Sequence, residues 1–252
     1  VTIGGRGTLG FGVDIGGTGI KAAPVHLDTG ELAGERVRVL TPRGAEPEAV
    51  CAVVAELVAG AGWTGPVGVA FPAVVQHGIA RTAANISHRW IGLDVAAAMS
   101  AAAGAPVTVI NDADAAGLAE VRHGAGRGVP GVVLTLTLGT GIGSGLFTDG
   151  TLVPNTEFGH LEIDGHDAET RASEAARERE GLGWAEWSRR LEHYLRRVDA
   201  LVWPDLVILG GGASKKADRW LPLLDVRPAL AVAALRNAAG VVGAAMACAE
   251  HS

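Results

Sequence analysis

Apolar positions along this chain fall in short runs broken by glycine-rich turns, and the runs switch between strand-like and helix-like periods. The run Leu9–Ile15 passes through "DIGGTGIK" into a second strand, Ile20–His26; after the turn "LDTGEL", Arg36–Leu40 reads as a third. Helical spacing covers Glu46–Gly60, with an acid early and a glycine as its stop. Pro66–Phe71 predicts a buried strand, Asp94–Ala103 a helix, Pro106–Ile110 a strand and Asp112–His123 a helix. Then the opening pattern returns. "VVLTLTLGTGIGSGLFTDGTL" (132–152) repeats the logic of "FGVDIGGTGIKAAPVHLDTGEL" (11–32): strand, Gly-Thr-Gly-Ile turn, strand, Asp/Thr-Gly turn. Beyond it the pattern predicts a long helical region over about Ala168–Val202, a strand at Asp205–Leu209 entering "GGGASKK", a strand near Leu230–Ala234 and a last helix, Asn237–Ala249.

Two hairpins, each followed by alternating helices and strands, predict a duplicated α/β unit. The competing reading is chance recurrence in a chain with 37 glycines among 252 residues. The boundary is expected in the glycine-rich "RHGAGRGVPG" (122–131), which gives domains of 1–122 and 123–236.

Composition narrows the function. A formal net charge of −6 disfavours a nucleic-acid binder, which would show a basic footprint. The two cysteines, Cys51 and Cys248, are isolated, so neither a disulfide framework nor a C-x-x-C zinc signature is expected, and a reducing cytoplasm is the simplest setting. The sequence has no secretory leader pattern and no uninterrupted apolar run long enough for a transmembrane helix, so no membrane partner is expected. Of 21 basic residues only Lys21, Lys215 and Lys216 are lysines, and each follows a glycine-rich turn.

Those turns carry the first chemistry. In "DIGGTGIK", Gly16, Gly17 and Thr18 allow close backbone approach to a phosphate, with N–H groups and a hydroxyl forming an anion nest. Lys21 adds charge. Asp14, at the strand end, would be wasteful beside phosphate unless it held a metal, directly or through water; magnesium fits, since it binds through few carboxylates plus phosphate oxygens. "TLGTGIGSG" (137–145), with Thr140 and Gly141, is the second copy. Neither is a Walker loop, and the glycines open a hairpin rather than the helix a dinucleotide fingerprint requires. "ILGGGASKK", with Gly211, Gly212, Lys215 and Lys216, reads as a third approach to phosphate; an exposed "SKK" turn is the alternative. Lysine's compact, mobile ammonium suits a repeating anion.

"VTVINDADAAGLAE" (107–120) is a strand ending in Asn111 and Asp112 where open α/β sheets bind ligands. Asp112 is the candidate base for a sugar hydroxyl attacking phosphorus, with Asn111 hydrogen-bonding a neighbouring hydroxyl. A simple helix cap at Asp112 is the competing reading; Asp114 reads as a first-turn helix residue. "EFGHLEIDGHDAETRAS" (157–173) offers Glu157, His160 and Glu169 for a sugar pocket, among Glu162, Asp164 and His166. A metal site is the alternative, disfavoured by the missing cysteines. Asn85 is a candidate to join the pocket, or a turn residue. Trp184 and Trp187, at i and i+3, read as packing residues over a nucleotide-stacking platform, and the arginines of "SRRLEHYLRR" (188–197) as a solvated helix face, with an extension of the basic phosphate track as the alternative.

Taken in order, "DIGGTGIK", "NDADAAGLAE", "LTLGTGIGSG", "EFGHLEIDG" and "ILGGGASKK" resemble the motifs of the repressor–ORF–kinase (ROK) sugar kinases over about Gly10–Ala249. Within that family the chain looks like members that phosphorylate glucose from inorganic polyphosphate or ATP. The resemblance implies an actin-like (ribonuclease H-like) fold of two duplicated α/β domains around a central cleft, with the helix 237–249 packing back on the first. It also implies a homodimer, Mg2+, Asp112 as base, and glucose contacts from Asn85, Asn111, Glu157, His160 and Glu169. Many relatives carry a cysteine-rich zinc loop just before the acid matching Glu169; here "IDGHDAE" has no cysteine, so no structural zinc is expected. The family's repressors begin with a helix-turn-helix, for which the few residues before the first strand leave no room. A strictly ATP-dependent glucokinase or mannose-accepting kinase, and a sugar sensor without turnover, are the alternatives; an intact Asp112 argues against the sensor.

Overall fold

The computed structural model describes residues 8–250, so the start of the chain, read above for a leader and a helix-turn-helix, lies outside the described residues. The chain forms two compact units, one running to Ala119 and resuming at Asn237, the other comprising Glu120–Arg236.

In the first unit, β1 (Leu9–Ile15), β2 (Ile20–His26) and β3 (Val37–Val39) lead to α1 (Pro47–Gly60), β4 (Val67–Phe71), the small hairpin β5 (Val75–Gln76) and β6 (Ile79–Ala80), α2 (Val95–Ala103), β7 (Val107–Asn111) and α3 (Asp112–His123), whose last turn passes into the second unit. The sheet order is β3-β2-β1-β4-β7. β1, β2 and β3 pair antiparallel, and β4 and β7 add in parallel. All five positions of β4 are buried, as a central parallel strand requires.

The second unit continues with β8 (Val132–Leu138), β9 (Ile142–Thr148), β10 (Thr151–Val153), the hairpin β11 (Glu162–Ile163) and β12 (His166–Asp167), α4 (Glu169–Ala172), α5 (Glu174–Arg179), α6 (Trp184–Val202), β13 (Leu206–Gly210) and β14 (Ala229–Val232); α7 (Ala239–Glu250) returns to the first unit. Its sheet order is β10-β9-β8-β13-β14, with the same antiparallel opening and two added parallel strands. The duplicated α/β fold expected from the repeated hairpins is therefore present, and each sheet has the strand order of an actin-like unit. Buried Glu120 accepts the N–H groups of Ala125, Ala234 and Leu235 at 3.0, 3.0 and 2.7 Å, fixing the segment after β14.

The long helix expected over 168–202 is instead three helices. Ser173 is extended (φ −68°, ψ 163°), and its hydroxyl accepts from the Ala176 N–H at 3.1 Å, capping α5. Gly181 takes φ 63°, and extended Gly183 starts α6. Trp187 and Trp220 are fully buried with ring centroids 5.3 Å apart at 89°, and Trp184 meets Trp187 edge-on at 5.7 Å, so the tryptophans pack the core.

α7 is built from small residues and lies directly on the first unit's sheet. A Cβ on Gly12 of β1 would fall 1.9 Å from the Val241 carbonyl oxygen, and one on Gly68 of β4 would fall 1.8 Å from that of Ala244. From the helix side, a Cβ on Gly243 would fall 1.7 Å from the Ala115 carbonyl of α3. Gly68→Ala should therefore lower unfolding stability by at least about 1–3 kcal/mol through overpacking. Gly60→Ala, at the open end of α1 with nothing within 4 Å, should be neutral or gain up to about 1 kcal/mol. Urea denaturation of both variants measures the contrast; equal midpoints would mean the helix does not pack this closely.

Candidate active site

The first unit's glycine turn closes with the Gly16 N–H on the Gly19 carbonyl at 3.1 Å, and the Thr41 hydroxyl donates to the Gly16 carbonyl at 2.5 Å. Gly17 and Thr18 are exposed at its tip. Asn85, in the left-handed region at φ 59°, sits against Gly17: a Cβ there would lie 3.4 Å from the Asn85 Cβ. The structure thus brings Asn85 to the turn. Asp14 and Lys21 are register partners across β1 and β2, and the ammonium lies 2.8 Å from the carboxylate. The lysine's charge is committed to Asp14 rather than projecting from the turn.

At the end of β7, buried Asn111 is the cap. Its Oδ1 accepts the N–H groups of Ala113 and Asp114 at 2.9 and 3.0 Å, and its Nδ2 donates to the Ala73 carbonyl at 3.0 Å. Its side chain therefore makes three structural bonds, a role the hydroxyl-binding reading had not included. Half-buried Asp112 also accepts from Ala113, at 2.9 Å. It sits at the start of a 12-residue helix, where the dipole favours negative charge. Asp114 is buried in that first turn.

In the second unit the acceptor residues form one assembly. The Phe158 N–H donates to the Ser144 hydroxyl at 3.0 Å, and that hydroxyl donates to the Thr156 carbonyl at 2.6 Å, holding the turn Phe158–His160 on β9. His160 Nδ1 is 3.1 Å from Asp167 Oδ2, and its Nε2 is 3.9 Å from Glu157 Oε2. Glu169 Oε2 accepts the Ile142 N–H at 3.0 Å and fills the space over Gly141, where a Cβ would lie 2.2 Å away. The Gly-Thr-Gly hairpin, with Thr140 exposed at its tip, and the acid–histidine cluster are thereby joined through one carboxylate.

Burial pushes the Glu157 carboxyl up from its ordinary value; His160 opposes the rise and Glu169 adds to it. The hydrogen bond that His160 donates to Asp167 raises its pKa, burial opposes, and the charges of Glu169, Asp167 and Glu157 add to the rise. Asp167 was not among the residues singled out from sequence. Its signal was the Asp164-Gly165 pair, both at positive φ (53° and 75°), a two-residue hairpin turn that folds β12 back on β11.

The third glycine turn meets the same hairpin. Gly211, at φ 78°, lies on the backbone of Leu138, and the Ala175 N–H donates to the Gly139 carbonyl at 3.0 Å. Lys215 and Lys216 are exposed on the short helical turn Gly212–Arg219, anchored by buried Trp220, whose Nε1 donates to the Ala213 carbonyl at 3.0 Å. Glu174, also missed from sequence, packs over Gly212, where a Cβ would fall 2.1 Å from its carboxylate. Burial raises its pKa and Glu178 adds, while Arg177, Lys215 and Lys216 pull it down, so both lysines act on this carboxylate. Among the described residues no group of three or more His, Cys, Asp or Glu could hold a metal. Asp14, the acid expected to hold magnesium, has one carboxylate oxygen on Lys21 at 2.8 Å; a lone carboxylate fits only an ion that keeps several waters and arrives with phosphate. No helix of the described residues is long and apolar enough to cross a membrane.

The ROK family model matches residues 10–176. The polyphosphate glucokinase of Mycobacterium tuberculosis is 52% identical over 239 residues, 94% of this chain and 90% of that protein. The crystal structure of inorganic polyphosphate/ATP-glucomannokinase from Arthrobacter sp. strain KM superposes with a TM-score of 0.93 at 54% identity, covering 97% of this chain and all of that one. A ROK family glucokinase from Streptomyces griseus, solved with glucose and AMPPNP, gives 0.80 at 26% identity over 96% of this chain and all of that one.

Because Asp167 raises His160, the pair's contribution to stability is complete below the ordinary histidine value of about 6.5 and is lost as pH rises through the elevated folded value. An NMR pH titration should find His160 titrating above about 6.5. In Asp167→Asn it should move down toward that value. An unchanged His160 titration in the variant would remove Asp167 as the cause.

Proposed function

Because the chain belongs to the ROK family, we propose that it is a glucose kinase, transferring a phosphoryl group from inorganic polyphosphate or ATP to the 6-hydroxyl of glucose. The observation that carries this reading is the double contact of Glu169, which holds the Ile142 amide, packs on Gly141 and belongs to the Glu157–His160 cluster. It ties a phosphate-type turn to a sugar-type cluster in one unit. The Mycobacterium and Arthrobacter relatives, both above half identical, support the donor and the acceptor.

In this reading Asp112 is the base. Its carboxylate takes the proton of the 6-hydroxyl as that oxygen bonds to phosphorus and the bridging oxygen to the rest of the donor leaves. Glu157, His160 and Glu169 hold the sugar's other hydroxyls. His160, kept protonated to higher pH by Asp167, donates from Nε2, and Glu157 and Glu169 accept. Asn85 and Asn111 complete the set, Asn111 keeping one amide hydrogen beyond its bond to Ala73. Gly16, Gly17, Thr18, Thr140, Gly141, Gly211 and Gly212 offer backbone and hydroxyl donors to phosphate. Magnesium, held through water by Asp14, would neutralise donor charge. Lys21 sets the orientation of that carboxylate. Mannose is a second acceptor in this reading, supported by the glucomannokinase from Arthrobacter.

Asp112→Asn should leave glucose binding intact and lower kcat by about 10²–10⁴ or more. Calorimetry with glucose and a coupled assay separate the two; turnover near the parent's would overturn the base assignment. Lys215→Ala with Lys216→Ala should lower kcat/KM for long-chain polyphosphate by about tenfold more than for ATP, since a longer anion reaches more of the local positive field. Equal losses for the two donors would refute that role.

A further inference from the structure

Two of the second unit's glycine turns meet at the first turn of α5. The Ala175 N–H donates to the Gly139 carbonyl at 3.0 Å, which fixes α5 to the turn between β8 and β9. The residue before it, Glu174, lays its carboxylate over Gly212, where a Cβ would fall 2.1 Å from Oε2. Gly211 in turn lies on the backbone of Leu138, the residue before Gly139. Glu174 therefore stands where the second and third glycine turns converge.

The two glutamates over these turns differ in what holds them. Glu169, over Gly141, accepts the Ile142 N–H at 3.0 Å. The half-buried Glu174 carboxylate accepts no hydrogen bond and lies in no direct ion pair among the described residues. Its surroundings act on it through their charge alone: Glu178 and Arg177 from its own helix, Lys215 and Lys216 from the turn Gly212–Arg219. Burial raises its pKa and Glu178 adds, while the three cations oppose the rise. Nothing beyond those cations favours the ionised form, so a further negative charge arriving beside it shifts the carboxyl toward its protonated state.

On the reading that assigns these turns to the phosphoryl donor, we propose that Glu174 sets donor affinity. Its charge opposes the donor's phosphates at the junction of the two turns and competes with them for Lys215 and Lys216, and donor binding draws a proton onto it. The donor's phosphates are like charges that raise the carboxyl further and engage the lysines that had lowered it. Affinity therefore carries a penalty while Glu174 is ionised and is relieved of it when Glu174 is protonated. The sign follows: the parent's affinity falls as pH rises from the donor-free value of this carboxyl to its higher donor-bound value, and is level above that.

Glu174→Gln keeps the side chain's size over Gly212 and removes its charge. A non-hydrolysable ATP analogue with magnesium, titrated calorimetrically into glucose-saturated protein at neutral pH, should bind the variant about three- to tenfold more tightly than the parent. Misfolding cannot produce that gain. Repeated in buffers of different ionisation enthalpy, from mildly acid to neutral pH, the titration should show the parent taking up more protons than the variant. Protonation of the analogue itself is common to both proteins and cancels in the comparison. A side chain that only fills space would move neither quantity. The coupled glucose assay separates the two readings. A parent that makes glucose 6-phosphate from neither donor would overturn the kinase reading and the role of Glu174 with it. If the parent turns over but the variant's affinity or proton uptake matches it, the role of Glu174 alone is overturned.

Discussion

The first unit depends on the approach of one helix to one sheet at backbone distance. α7 touches β1 at Gly12, β4 at Gly68 and α3 at Ala115, and its second residue, Gly240, backs onto the Asp14 carboxylate. Each contact leaves no space for a Cβ. These are the elements that bear the unit's proposed site residues: β1 carries Asp14 next to its end at the glycine turn, β4 sets the register of β7, and α3 starts at Asp112. A helix drawn from the end of the chain therefore holds the strand-end acid and the proposed base in one rigid frame. Small residues along α7 are a requirement of that frame, since interiors transmit misfit of even a methyl group.

The second unit solves the same problem with side chains. There the space above Gly141 and Gly212 is filled by the carboxylates of Glu169 and Glu174. Glu169 also holds the Ile142 amide, so the hairpin turn cannot shift without moving α4. This has an electrostatic consequence. Where the first unit neutralises its strand-end acid with Lys21, the second places two carboxylates against turns that the proposed reaction uses for a polyanion. The compensation visible at Glu174 comes from Arg177, Lys215 and Lys216. The paired lysines thus have a local reason as well as the proposed ligand-binding one.

The sequence made the strands of the two larger sheets legible to within a residue or two, because a run such as Leu9–Ile15 is apolar and almost wholly buried and is stopped by glycines that the turn requires, whereas the short hairpins β5–β6 and β11–β12 were not read. The breaks within 168–202 were less visible, since Ser173 and Gly181 act through backbone conformations that helical periodicity does not register. In the site, the glycine turns and the acid–histidine segment stood out as motifs. Asp167 and Glu174 did not, because their roles arise from contacts made only once hairpins and helices fold together. Asn111 was legible as a polar strand end, but beside its two local bonds to Ala113 and Asp114 it is tied to Ala73, 38 residues earlier.

The uneven use of lysine and arginine then acquires a physical order. Several arginines among the described residues are fixed: Arg89 on Glu46 and Glu48, Arg190 on Glu180, Arg227 on Asp199 and over the Trp203 ring. A planar fork favours such static pairing. Lys21 is the lysine used that way, in a tight hairpin where a point charge reaches a carboxylate across the strands. Lys215 and Lys216 are exposed on a turn whose backbone leaves helical geometry at Lys216 (φ −125°, ψ 31°). Their side chains face solvent while Trp220 anchors the turn beneath them. For the proposed donor role, exposed lysines on an anchored glycine turn suit a phosphate chain whose successive units present the same charge, where fixed bidentate arginines would select one register instead.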